Sequence, residues 1–278
     1  MGFPPRPRAV VTGASSGFGR ALALVLARRG ARLVLGDIDA EGLAETADEA
    51  RRAGAEAHTQ ACDVRDAAQV EALATLADEA FGGTDILVNN AGVAVAGPVG
   101  DVPLEDWRWQ LEINLFGVIY GCHAFVPRMK AAGGGWILNV ASAAGLLSAP
   151  TMAPYNVTKA GVVALSETLF GELAGTGVRV TALCPTFFRT KIHERARSPD
   201  PAAKARARKL VAEARWSAEA VAEVALRGLE RGDLYVIPQA DGRVMWRAKR
   251  LFGQRFHGAI GRVLNSPRLQ RWLEGGAG

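Results

Sequence analysis

Thr12-Gly13-Ala14-Ser15-Ser16-Gly17-Phe18-Gly19 follows the apolar run Ala9-Val10-Val11 and opens a stretch, 16–29, with helical spacing of its apolar residues. Strand, glycine-rich turn and helix together can hold a dinucleotide pyrophosphate. The phosphate oxygens need main chain close by and N–H groups aimed at them. Glycine permits the approach, and the helix adds its positive N-terminal end. Gly13 suits the sharp turn, Gly17 the close approach and Gly19 the packing of helix on strand, with Ser15, Ser16 and Phe18 between them. A glycine triplet alone also fits a plain turn. The added weight comes from Asp37, at the end of the second apolar run in Leu35-Gly36-Asp37-Ile38-Asp39. A carboxylate there accepts both hydroxyls of an adenosine ribose and repels a 2′-phosphate. No Lys or Arg stands in Ala14 to Ser16 or directly after Asp37, so NAD is expected over NADP. Helix capping is the other role for such an acid, and Asp39 is equally suited to it. Asp63, in Ala61-Cys62-Asp63-Val64, stands after a third run, placed either for the adenine or as a cap.

The same alternation continues along the chain. Strand-like runs fall at 8–12, 31–36, 57–62, 85–89, 135–141, 178–184 and 234–237. Helix-like stretches fall at 16–29, 40–53, 67–81, 104–132, 154–174 and 217–231. This rhythm predicts an α/β fold: a doubly wound, parallel, seven-stranded Rossmann-like sheet with helices on both faces. We expect one such domain over 1–240 and a basic amphipathic extension over 241–278. At 278 residues and 49% hydrophobic, the chain has the apolar mass for this core, and disordered or disulfide-scaffold classes are excluded.

Tyr155-Asn156-Val157-Thr158-Lys159 puts Tyr and Lys four apart, on one face of a helix. A free tyrosine has a pKa of about 10. A neighbouring ammonium stabilises the phenolate and lowers that value. Tyr155 then serves as general acid toward a carbonyl or general base toward an alcohol.

With these motifs the chain resembles the short-chain dehydrogenase/reductase family, over roughly residues 8–238. The resemblance rests on Thr12-Gly13-x-x-x-Gly17-x-Gly19, Asn89-Asn90-Ala91-Gly92, Asn114, Ser142, Tyr155-x-x-x-Lys159, and Pro185 with Thr190. It implies a catalytic set of Asn114, Ser142, Tyr155 and Lys159. Ser142 would hold the reacting oxygen near Tyr155. Lys159 would bind the nicotinamide ribose and depress the Tyr155 pKa, and Asn114 would hold a water linking Lys159 to solvent. Asn90, with Ala91 and Gly92, would brace the fourth strand beside the cofactor. Pro185 and Thr190 would lie on the nicotinamide side, Thr190 at the carboxamide, and Asp63 and Val64 near the adenine. No metal is expected. One departure is Pro185-Thr186, where the family usually has Pro-Gly; a β-branched residue narrows the local backbone.

The family's substrate loop follows Thr190. Here it is basic: residues 189–215 hold nine basic and three acidic residues. It is either a lid over the site or a solvated helix. Phe187, Phe188, Leu146, Leu147 and Met152 are expected to flank a bulky hydrophobic alcohol or ketone. Residues 243–278 hold eight basic residues and one acidic. The remainder carries 16 basic and 24 acidic residues, so the formal net charge of +5 belongs to two segments on an acidic body. That pattern, with no nucleic-acid motif, argues against a nucleic-acid partner. At about 100° per residue, Met245, Phe252, Phe256, Ala259, Ile260 and Val263 share one face of the extension, opposite Arg243, Arg247 and Arg250. Trp246 and Trp272 are candidates for an interface. The face fits a membrane surface, a partner subunit or the protein's own body.

The resemblance also implies a homodimer or homotetramer, pairing through 104–132 and 154–174. Three scattered cysteines and no apolar signal core or spanning run predict a cytoplasmic protein. The alternative to an enzyme is a dinucleotide sensor or scaffold that keeps the fold without the chemistry.

Overall fold

The computed structural model describes residues 2–264 and 266. In chain order it gives β1 (Arg8–Thr12), α1 (Gly17–Arg28), β2 (Arg32–Asp37), α2 (Ala40–Arg52), β3 (Ala57–Ala61), α3 (Ala67–Phe81) and β4 (Ile86–Asn89). Then follow α4 (Leu104–Leu111), a π-helical turn (Glu112–Phe116), α5 (Gly117–Ala131), β5 (Gly135–Val140), α6 (Ala143–Leu147), α7 (Ala153–Glu172) and β6 (Val178–Leu183). The chain continues with α8 (Pro201–Ala212), α9 (Ala218–Arg231), β7 (Tyr235–Val236), α10 (Ala240–Phe252) and α11 (Gln254–Leu264).

The sheet is parallel throughout, in the order β3-β2-β1-β4-β5-β6-β7. Each strand-like run is a strand, with ends displaced by a residue or two. The inner runs read as largely apolar because both faces are covered, whereas β3 at the edge, Ala57-His58-Thr59-Gln60-Ala61, is partly exposed. Ala9 and Val11 of β1 join one core with α1, α2 and α9; Val10 joins the other with α3, α5 and α7. Leu33 and Leu35 divide from Val34 in the same way. Strand order reverses between β1 and β4. A crevice opens there at the carboxyl ends of the strands, the usual ligand place in such sheets.

Two expected helices are interrupted. The stretch 104–132 is broken by the π turn, where the Asn114 side chain is drawn to the main chain of Val93. The extension bends at Gly253, whose φ of +52° is in the left-handed region. One continuous amphipathic face therefore does not form. Trp246 and Phe256 turn inward to the core, and the Trp246 ring meets Tyr235 at 5.1 Å. Phe252 and Val263, each 60% exposed, point away. Trp272 lies outside the described residues.

Two further differences concern the expected substrate wall. Phe188 is buried against Phe18, ring centroids 5.1 Å apart, so it packs under α1. Leu146 and Leu147 are buried in the core beside α7. Phe187, 49% exposed, and half-buried Met152 remain available to a substrate.

Candidate active site

The phosphate loop is tied down from beneath. Asn90 Nδ2 donates to the carbonyl oxygens of Thr12 and Gly13, at 2.9 and 3.1 Å. The amides of Asn90 and Ala91 both donate to Thr12 Oγ1. The Asn-Asn-Ala-Gly motif thus acts on the loop as well as on its own strand. A Cβ on Gly13 would stand 2.7 Å from Ala91 Cα. Gly17, at φ +55°, starts α1, and a Cβ there would stand 3.2 Å from Thr190 Oγ1. Thr190 therefore sits over the phosphate loop.

Asp37, at the end of β2, stands beside the glycine loop. Its Oδ2 accepts from the Ser15 amide at 3.0 Å and its Oδ1 from the Asp39 amide at 3.1 Å. Asp39, not Asp37, caps α2, accepting from Gly42 N. This resolves the capping question in favour of a carboxylate aimed at the loop. Asp63 caps nothing either, because Asp66 caps α3. Asp63 is held by Arg65, whose guanidinium keeps its carboxyl below the usual range. Val64 is buried behind it, against Gly117. A cation also reaches this region from far along the chain: Arg195 Nη2 lies 3.8 Å from Asp39 Oδ2.

Ser142 caps α6, accepting from Ala144 N at 3.1 Å, and its hydroxyl neighbours that of Tyr155. The Pro185 carbonyl accepts from Ala143 N at 2.9 Å, joining the loops after β5 and β6. Lys159 is buried and donates from Nζ to the Val140 carbonyl at 2.7 Å. It stands 5.8 Å from the Tyr155 ring centroid. A Cβ on Gly92 would lie 3.7 Å from this Nζ, so the Gly92 turn is its neighbour. Burial pushes the Lys159 amine down to about 8. Burial also pushes the Tyr155 hydroxyl up to about 12, a rise that the Ser142 hydroxyl opposes. Desolvation acts on both groups and disfavours both charges.

The Asn114 side chain is taken up by the main chain of Val93. Its Oδ1 accepts from Val93 N and its Nδ2 donates to Val93 O, both at 2.8 Å. The side chain is a brace for the chain leaving β4, as its buried π turn requires.

Several supporting residues carry no local signal. Thr186, in place of the family glycine, donates its amide to Gln239 Oε1 and its hydroxyl to Asp241. Lys249 of α10 donates to the Leu146 carbonyl at 2.6 Å. Each pair is more than fifty residues apart, beyond the reach of a motif.

The residues present fit a dinucleotide. The glycine cradle has no room for side chains, α1 begins at it, and Asp37 stands where a ribose would lie. The Gly13, Gly17, Asp37, Gly92 and Thr190 positions would hold it along the crevice. Among the described residues no cluster of His, Cys, Asp and Glu fits a metal ion.

Comparison with known proteins agrees with this geometry. A family described as short chain dehydrogenase matches residues 7–201. The D-threitol dehydrogenase of Mycolicibacterium smegmatis is 42% identical over 188 residues, 68% of this chain and 72% of that protein. The D-beta-hydroxybutyrate dehydrogenase of Rhizobium meliloti is 33% identical over 86% of this chain and 90% of that one. A solved short chain dehydrogenase/reductase from Burkholderia phymatum, in complex with NAD, superposes with a TM-score of 0.84. It is 38% identical, covering 88% of this chain and 92% of its own.

Proposed function

Because this chain belongs to the short chain dehydrogenase family, we propose that it is an NAD-dependent oxidoreductase acting on a secondary alcohol or ketone. The observation that carries the reading is Tyr155, with the Ser142 hydroxyl beside it and Lys159 Nζ 5.8 Å from its ring centroid, next to a glycine cradle whose Ser15 amide donates to Asp37. A sensor on the same fold has no need of that hydroxyl pair. A bound dinucleotide supplies the acceptor or donor of the hydride. Tyr155 Oη takes the alcohol proton as the C–H bond breaks, and returns it to the carbonyl oxygen in the reverse direction. Ser142 Oγ holds the same oxygen, and Lys159 is placed for the ribose hydroxyls.

NAD is favoured by Asp37, and the likeness to an NAD complex supports the choice. Initial rates with NAD and NADP across an alcohol and ketone panel test both cofactor and reaction. We expect kcat/KM to favour NAD by about 100-fold, the scale of one like-charge clash. Asp37→Ala should remove most of that ratio. A wild-type preference for NADP would end the Asp37 argument. On the substrate side, Phe187 and Met152 favour a bulky apolar group next to the reacting carbon. The likeness to a D-threitol dehydrogenase gives the competing reading of a small polyol. Faster turnover of threitol than of aromatic alcohols in the same panel would decide for it.

We also propose a homo-oligomer that touches anionic bilayers. Exposed Phe116, Val157 and Phe170 on the π turn and α7 support pairing through those helices. On α10, Val244, Leu251 and Phe252 are 63%, 80% and 60% exposed. Over 240–264 six basic residues stand against Asp241 alone. A two-fold contact between copies of this face would set arginine against arginine, whereas anionic headgroups complement it. Among the described residues no helix is long and apolar enough to cross a membrane. The expected result is co-sedimentation with phosphatidylglycerol vesicles at low salt, absent with phosphatidylcholine and lost in Leu251→Glu/Phe252→Glu. Equal pelleting of the two forms would overturn the membrane contact, and sedimentation without lipid reads the oligomer.

A further inference from the structure

The basic segment after β6 crosses the crevice, and Arg189, Arg195 and Arg197 in it are engaged with this chain's own groups. Thr190 and Lys191 lie against Gly17 at the start of α1. Arg195 then reaches Asp39 on the β2 side of the crevice. Two residues later the chain is on the β4 side. Arg197 N donates to Ala94 O at 3.0 Å, and Ala96 N donates to Arg197 O at 3.1 Å. Its guanidinium donates to Asp106 Oδ1 at 2.8 Å and stacks on Trp109, Cζ 3.7 Å from the ring centroid. Pro199 packs on Gly97. On its other edge the 95–97 stretch pairs with the start of α7: Gly97 N donates to Thr151 O at 2.7 Å and Gly97 bridges Met152. Met152 is three residues before Tyr155.

We propose that Arg197 is a positioning residue that fastens the strap 189–200 over the dinucleotide, with Arg195 as the weaker pin on the opposite bank. The proposal rests on the dinucleotide reading of the crevice, and adds what governs entry to it. The strap crosses the ends of β2, β1 and β4, so a dinucleotide lying along them is released only when a pin lets go. Arg197 combines three contacts of different kinds: a main-chain pair, an ion pair and a ring stack. Arg195 has one exposed ion pair at 3.8 Å, which contributes little on its own. Arg195 and Arg197 therefore serve attachment to this chain's own acids, Asp39 and Asp106, rather than attraction of an anionic substrate.

The test is stopped-flow displacement of NADH, with hydrogen exchange of the cofactor-free protein alongside. Arg197→Ala should release NADH about tenfold faster, the scale of one cation–π contact plus one ion pair. Its KM for the dinucleotide should rise with the chemical step, measured in single turnover, little changed. Release from the wild type should speed up with salt, because the pins are partly exposed charges, and Arg197→Ala should lose most of that dependence. Arg197→Lys keeps the ion pair without the planar stack and should fall between. In exchange, amides in 94–97 and 189–200 should lose protection in Arg197→Ala, with α1 and β1 unaffected. Unchanged release and unchanged exchange would overturn the strap. Failure of the wild type to bind NADH, with the exchange difference present, would leave the strap standing and remove the dinucleotide reading.

Discussion

Tyr155→Phe should lower kcat by about 10²–10⁴-fold, the usual range for a lost general acid–base group. The ring keeps its shape and packing, so dinucleotide affinity and melting temperature should hardly change. What disappears is the single phenolic oxygen beside the Ser142 hydroxyl. The starting position of that proton sets a pH dependence. Burial holds the Tyr155 hydroxyl near 12, so it is protonated at neutral pH and ready to donate to a carbonyl. Ketone reduction should therefore be nearly flat from pH 6 to 9. Alcohol oxidation needs the phenolate and should rise with pH over the same window. Lys159, pushed down to about 8, is charged below that value and supports the phenolate best there. Above it the support fades, which makes the rise shallower than a single titration gives. Initial rates in both directions check these slopes. Activity of Tyr155→Phe within tenfold of wild type would move the chemistry to another residue.

Gly19→Ala should abolish dinucleotide binding at millimolar concentration, although it adds one methyl group. A Cβ there would lie 2.0 Å from the Gly13 carbonyl oxygen and 2.5 Å from Asn90 Nδ2. Both are fixed: the carbonyl is main chain in the tightest part of the loop, and Asn90 Nδ2 bonds it. The loop must move outward and break those bonds. Overpacking on this scale costs about 1–3 kcal/mol, which lowers the melting temperature by roughly 2–10 °C. Gly171→Ala is the internal control. It lies on α7 with nothing within 4 Å of a Cβ and should stabilise slightly. Isothermal titration and thermal melts of the two variants separate a crowding effect from a general intolerance of alanine. Retained affinity in Gly19→Ala would mean that the loop has more room than its contacts indicate.

The strands and the phosphate loop were legible because their causes are local. A parallel strand covered on both faces reads as an unbroken apolar run. Gly13, Gly17 and Gly19 lie within seven residues of one another, as Tyr155 and Lys159 do on one helix face. Illegible features have partners far along the chain. Asn114 distorts its helix because Val93, twenty-one residues earlier, takes both ends of its amide. Phe188 has the composition of a substrate wall, yet Phe18 of the first helix takes it into the core. The spacing of Tyr155 and Lys159 shows the charge that can act between them, whereas the burial that shifts both groups comes from packing the local motif does not carry. Nothing adjacent to Gly253 in the sequence marks the reversal there, so the extension reads as one helix.

α10 grips both loops that frame the reacting oxygen: Asp241 and Gln239 hold Thr186, and Lys249 holds Leu146. The aperture of the catalytic mouth is thus set by a helix that contributes none of the proposed catalytic groups. Inheritance can act on that helix with little risk to the chemistry. A single exchange at Lys249 or Asp241 would loosen one jamb of the doorway while Ser142, Tyr155 and Lys159 stay in place. Changes in α10 would alter what the mouth admits before they alter the chemistry inside it.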